Sequence, residues 1–148
     1  MISLPNGEFL HFTVKNIMIP SERVAHVQIG NSLEHALLVL TKSGYTAIPV
    51  LDITYKLHGL ISTPIIMDSI LGLERIEFEM LEKKRVEEVM IKNIPRLTVD
   101  SAISTSLPLL VDHPFLCIED QTGVFEGILT RRSVLSQLNQ FVQRFHHQ

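Results

Sequence analysis

Ala47-Ile48-Pro49-Val50-Leu51-Asp52, an apolar run closed by an aspartate, returns later in the chain as Phe115-Leu116-Cys117-Ile118-Glu119-Asp120. Its surroundings return with it. Upstream, Val14-x-x-Ile17-Met18 reappears as Val86-x-x-Val89-Met90; downstream, His58-Gly59-Leu60-Ile61-Ser62 reappears as Glu126-Gly127-Ile128-Leu129-Thr130. The spacing between matched residues shrinks along the copy, so the second is a few residues shorter. Three matched segments in the same order mark a duplicated fold unit. Two copies are too few for a solenoid, which needs stacked neighbours.

Each copy reads as β-α-β-β-α. In the first, residues 24–27 suit a short strand. Asn31 and Ser32 supply an N-cap ahead of Leu33, Ala36, Leu37 and Leu40, an apolar stripe at helical spacing, and Gly44 supplies the stop. Strands follow at residues 46–51 and 57–61. A helix then starts at Ser62 or Thr63, with Pro64 in its first turn, where a missing N–H costs nothing. The second copy predicts strands over 96–99, 115–119 and 124–129 and a helix over about 101–111. Its last helix carries Val134, Leu138, Phe141 and Phe145 on one stripe, flanked by Leu135 and Val142. Between the copies, residues 73–84 are rich in Glu and Lys, with Glu79 four residues before Lys83, and predict a solvated helical connector. The resulting division is a leading segment and first copy over 1–72, a connector over 73–85, and a second copy with its long helix over 86–148. Such a unit leaves one sheet face and its edges uncovered, which accounts for the pairing.

Composition narrows the function classes. With 148 residues and 45% apolar side chains, the chain can build a core without metal or disulfide staples. A net charge of −3 argues against broad nucleic-acid binding, which wants a basic surface. Cys117 is the only cysteine, so no intramolecular disulfide forms, which fits a reducing compartment. Residues 1–12 lack the basic flank and apolar core of a signal peptide, and no apolar run is long enough to span a bilayer. A cytoplasmic protein without membrane attachment is expected.

Catalytic templates are missing: there is no G-x-S-x-G elbow, no phosphate loop ending in Gly-Lys-Ser/Thr, and no G-x-G-x-x-G fingerprint. The seven histidines show no zinc spacing, and the His146-His147 pair sits in the tail. Two segments invite a binding role instead. Thr130-Arg131-Arg132-Ser133 places two cations in the first turn of a helix, where the macrodipole disfavours them and exposed amides favour an anion. They would form a phosphate clamp, or else stand in solvent or pair with Glu126. In Gly44-Tyr45-Thr46-Ala47-Ile48-Pro49, Tyr45 would stack on a base, or else the segment is only a helix stop and a core strand.

Set within the duplication, these features resemble the CBS-pair (Bateman) family. The marks are V-x-x-I-M at the head of each copy, the G-Y-T-A-I-P-V-L-D strand, and the G-L-I-S and G-I-L-T strand-to-helix junctions. The resemblance implies an α+β fold, two tandem CBS motifs packed as one pseudo-twofold module, with no metal and no catalytic residue. It also implies adenosine-containing ligands in clefts that draw on both copies. One cleft would combine Arg23, Val24, Ala25, Tyr45, Thr46 and Ala47 with Thr130, Arg131 and Arg132. A poorer one would combine Arg96, Leu97, His113, Pro114 and Phe115 with Ser62 and Thr63. Many members carry Ser/Thr-x-x-Asp to hold ribose hydroxyls; here Ile65 and Ser133 stand at the Asp positions. That departure disfavours AMP or ATP and suits a cyclic dinucleotide, whose 3′ oxygen is esterified. The RVAHVQIGN, GLERIEFE and VFEGILTRRSVL segments are similar to the stand-alone cyclic di-AMP-binding CBS proteins of Listeria- and Bacillus-type bacteria. This implies a homodimer that controls partner enzymes, including the alarmone (p)ppGpp synthetase/hydrolase. An AMP, ADP or ATP energy sensor is the alternative on the same fold.

Overall fold

The computed structural model describes residues 12–146, without the Phe145 side chain. The signal-peptide reading of residues 1–12, His147 and the Phe145 position on the last stripe therefore lie outside the described residues, Phe12 apart. In chain order, a 3-10 turn at Val14–Asn16 leads to β1 (Ile19–Pro20) and a second 3-10 turn at Ser21–Arg23. Then come β2 (Val27–Gln28), α1 (Leu33–Ser43), β3 (Ala47–Leu51), β4 (Leu57–Ser62) and α2 (Thr63–Ser69). Short α3 (Met80–Lys83) and α4 (Val86–Val89) precede β5 (Arg96–Leu97), α5 (Ile103–Asp112), β6 (Phe115–Glu119), β7 (Phe125–Thr130) and α6 (Arg131–His146). The duplicated β-α-β-β-α order is what the repeat predicts.

The chain divides into two compact units. One is Val24–Ile94; the other joins the stretch up to Arg23 with the stretch from Pro95 onward. In the first unit the sheet order is β2-β3-β4, with β2 parallel and β4 antiparallel to β3. Ser32 caps α1 by accepting the His35 N–H at 3.1 Å, and Gly44 ends it in the left-handed region at φ 77°. Leu33, Ala36 and Leu40 are buried against Ile48, Val50, Ile61 and Ile66, as the stripe requires.

The second unit repeats the plan. Its sheet order is β1-β7-β6-β5, and its core gathers Val14, Leu97, Ile103, Leu110, Leu116, Ile118, Leu129 and Val134. In α6, Leu138 and Phe141 join that core while Leu135 is largely exposed.

The Val-x-x-Ile/Val-Met segments explain how each unit is completed. Val86 donates its N–H to Asn31 O at 2.9 Å, and Ile91 exchanges two 2.9 Å bonds with Leu60. In the other unit Val14 donates to Ser101 O at 2.8 Å, while Ile19 pairs with Ile128. Both arrivals land on a glycine. A Cβ on Gly59 would lie 2.4 Å from Ile91 O, and one on Gly127 would lie 2.2 Å from Ile19 O. The G-L-I-S and G-I-L-T junctions thus begin with glycine because a backbone crosses there.

Several boundaries differ from expectation. The strand placed at 24–27 is Val27–Gln28, and that placed at 96–99 is Arg96–Leu97. β2 pairs with β3 only over Val50–Leu51, past Pro49, and β5 pairs with β6 only as far as Ile118, one residue before β6 ends. The connector is a correction: it is helical only over Met80–Lys83. Gly72 donates to Arg75 O at 2.8 Å and Glu77 to Ile70 O at 2.7 Å, folding the stretch into a loop. Glu79 accordingly binds Arg75, not Lys83.

Candidate functional site

Two pieces of the second unit decide what can be bound at the start of α6. The hairpin β6–β7 sets Phe115 opposite Thr130, so Pro114 and Arg131 are neighbours just beyond the ladder. There Arg131 donates its backbone N–H to Pro114 O at 2.8 Å. The Thr130 hydroxyl accepts the Ser133 N–H at 3.0 Å and pairs with the Ser133 hydroxyl at 2.7 Å, capping the helix. Beside this turn an open depression of about 610 Å³ is lined by Pro114, Thr130, Arg131, Arg132, Leu135, Ser136 and Asn139.

The paired arginines are not equivalent. Arg131 turns its guanidinium onto the end of α5, donating Nε to Leu110 O at 2.8 Å and Nη2 to Val111 O at 3.4 Å. Arg132 is exposed and forms no hydrogen bond or ion pair with a described residue. Neither is paired with Glu126, which lies with Asp100, Glu119 and Asp120 around a depression of about 400 Å³ at the opposite end of the sheet. One end of this unit is cationic and the other anionic.

Arg23 is exposed at the end of its 3-10 turn. That turn follows β1, which pairs antiparallel with β7, Ile19 opposite Ile128 and Pro20 opposite Gly127.

In the first unit the remaining candidates do come together. Val27 pairs in parallel with Val50, which brings Val24 and Ala25 level with Ala47 and Ile48. Val24 is buried, Ala25 and Ala47 are half-buried, and Thr46 is exposed. Tyr45 and Ala25 lean on the same core cluster, and the Tyr45 N–H is held by the Ser43 hydroxyl at 3.3 Å. This is a shallow platform of small residues with one aromatic edge.

In the poorer set, Leu97 pairs with Ile118, the repeat mate of Val50, so Pro95 stands where Ala25 stands in the first copy. Arg96 is bound to Glu119 at 3.0 Å. The Ser62 hydroxyl accepts the Ile65 N–H at 3.3 Å, as Thr130 does for Ser133.

Titratable groups elsewhere do structural work. Asp52 is held well below the usual carboxylate range by the Thr54 hydroxyl, then by His58 and the Lys56 N–H. Asp120 is lowered by the Thr122 hydroxyl and the Val124 N–H. Burial pushes the Cys117 thiol up to about 12, which leaves it an unreactive core residue. Among the described residues no cluster of three or more His, Cys, Asp or Glu side chains is placed to hold a metal.

Sequence reasoning missed Leu135, Ser136 and Asn139. They share the Arg132 face of α6 at intervals of three, four and seven residues, a periodicity that was open to reading.

The sequence profile of the CBS domain matches residues 14–72. Cyclic di-AMP receptor B of Bacillus subtilis is 56% identical over 143 residues, 97% of each chain. The chain belongs to the CBS-domain family. The crystal structure of Listeria monocytogenes CbpB in complex with c-di-AMP superposes with a TM-score of 0.83 at 55% identity, covering 88% of this chain and 97% of that one. CBSX2 in complex with AMP superposes at 0.74 and 25% identity, covering 87% and 97%. As a CBS-domain protein the chain has the α+β architecture that the duplicated segments imply.

Proposed function

We propose that this CBS-domain protein binds cyclic di-AMP and regulates partner proteins according to its occupancy. The observation that carries the reading is the unpaired Arg132 guanidinium at the capped start of α6, beside an open depression. It suits a phosphodiester, because an exposed guanidinium at the positive end of a helix adds its charge to that of the macrodipole. The Ala25–Ala47 platform with Tyr45 suits a purine. Support also comes from the 56% identity to a protein named as a cyclic di-AMP receptor.

In this reading the role is binding, without catalysis. The buried thiol is inert, and the His58–Asp52 contact of 2.8 Å ties down a hairpin turn. Support comes from one relative that is named as a receptor and another that is solved in complex with c-di-AMP. Regulation requires that the occupied and empty forms differ in affinity for a partner. Our reading is a cytoplasmic homodimer acting on an enzyme such as the alarmone synthetase/hydrolase. Among the described residues, no helix is long and apolar enough to cross a membrane.

Calorimetric titration with cyclic di-AMP, cyclic di-GMP, AMP and ATP at one ionic strength tests the reading, with cyclic di-AMP expected to bind tightest. Tighter binding of AMP or ATP would favour the energy-sensor alternative, which the AMP complex of CBSX2 supports at the level of the fold. Arg132→Ala should cost about 1.5–3 kcal/mol of cyclic di-AMP affinity, the scale of a charged hydrogen bond. Ala25→Leu should abolish binding by filling the platform; undiminished affinity would remove Ala25 from the site.

A further inference from the structure

We propose that Arg131 is a positioning residue: its guanidinium closes the C-terminal end of α5 and so aims the neighbouring Arg132 at the anion. The aiming rests on the nucleotide reading above, whereas the closure stands without it.

The two copies end their first long helix by different means. In α1, Gly44 enters the left-handed region at φ 77° and donates its N–H to Leu40 O. α5 ends without such a residue. His113 stays extended at φ −123°, and its N–H reaches only Leu109 O, at 3.0 Å. The next carbonyls, Leu110 and Val111, would be left to solvent, since the last four carbonyls of a helix lack internal partners. Arg131 serves both with Nε and Nη2. That edge of the guanidinium is the fork that otherwise grips a phosphate side-on.

Electrostatics favour the same assignment. A cation at the start of α6 faces the positive end of its own helix, and reaching the end of α5 brings it to a negative one. The backbone N–H of Arg131 meanwhile holds Pro114 O at 2.8 Å, so this one residue fastens the α5–β6 turn by main chain and side chain. Successive helical side chains point about 100° apart. Anchoring Arg131 on α5 therefore sets the rotation of α6 about its axis and the direction in which Arg132 projects.

The test compares Arg131→Met and Arg132→Met by calorimetry with cyclic di-AMP at three salt concentrations, together with the melting of each ligand-free protein. Arg132→Met should weaken binding about tenfold to a hundredfold. It should also flatten the salt dependence, because the screened contact is gone, and leave the melting temperature unchanged. Arg131→Met should lower the melting temperature and weaken binding several-fold while keeping the wild-type salt dependence. A salt dependence flattened in Arg131→Met as far as in Arg132→Met would put Arg131 on the anion and overturn the proposal, as would unchanged affinity. If wild-type protein ignores cyclic di-AMP, the nucleotide reading fails by itself, and the melting of Arg131→Met still decides the closure.

Discussion

The first hairpin and its repeat mate share one hydrogen-bond pattern but not one chemistry. Asp52 Oδ1 accepts from Thr54 N–H at 2.8 Å, Thr54 Oγ1 at 2.7 Å and Lys56 N–H at 3.0 Å. Asp120 Oδ1 accepts from Thr122 N–H, Thr122 Oγ1 and Val124 N–H at the same three distances. Both turns pass through the left-handed region, but with Tyr55 at φ 70° in one and Gly123 at φ 91° in the other. The Tyr55 ring meets His26 edge-on at 5.2 Å, a contact that a glycine cannot make. Duplication preserves the hydrogen bonds that the backbone requires and releases the side chains for other uses. The junctions before β3 and β6 obey the same rule: Tyr45-Thr46 stands in one where His113-Pro114 stands in the other.

The comparison is broken most severely at the glycines beneath the crossing segments. Gly127→Ala should destabilise the protein by about 2–4 kcal/mol, since its Cβ collides with Ile19 O and its φ of 156° strains any side chain. Gly59→Ala should cost less, because Ile91 O and Met90 Sδ oppose its Cβ but no left-handed backbone angle adds strain. Urea denaturation of both variants checks the order, and equal losses would show that the backbone angle at Gly127 contributes nothing.

A smaller effect sharpens the difference between the hairpins. Gly123→Ala should cost about 1 kcal/mol, the penalty of a side chain in the left-handed region. Tyr55→Gly relieves that same penalty but loses the His26 contact, worth about 0.5–1.5 kcal/mol for ring pairs. Its net change should be the smaller of the two. A large loss in Tyr55→Gly would show that the ring contact, not the turn, sets the first hairpin.

Why the repeat was legible and the site only partly so follows from the same residues. Matched segments, Ser32, Gly44 and the Leu33-Ala36-Leu40 stripe act within a few residues of themselves, so local sequence fixes their structure. The connector failed because Gly72 and two backbone hydrogen bonds outweigh a charge pattern worth only tenths of a kcal/mol. Arg131 and Arg132 are alike in sequence. Only the end of α5, some twenty residues earlier in the chain, separates their contacts. The lag of Pro95 against Ala25 was hidden because the second copy shortens between Ile91 and Leu97, a gap that the strand register alone reveals.

The weakest perturbation of the paired turns is acid. Asp52 and Asp120 both have folded pKa values below their unfolded values, so each adds stability that is complete above about pH 4 and is lost as pH falls through the folded pKa. Stability should therefore be flat with respect to these groups from pH 7 to about 5 and decline below pH 4. Asn at either position keeps one acceptor oxygen for the turn but cannot titrate. Asp52→Asn and Asp120→Asn should each flatten the acid limb of urea midpoints measured from pH 5 to 2. The effect should be larger for Asp52, whose second oxygen also holds His58 at 2.8 Å. If the two variants flattened the limb equally, the His58 contact would add nothing to the carboxylate. The first hairpin would then differ from the second only in the residue at its left-handed corner.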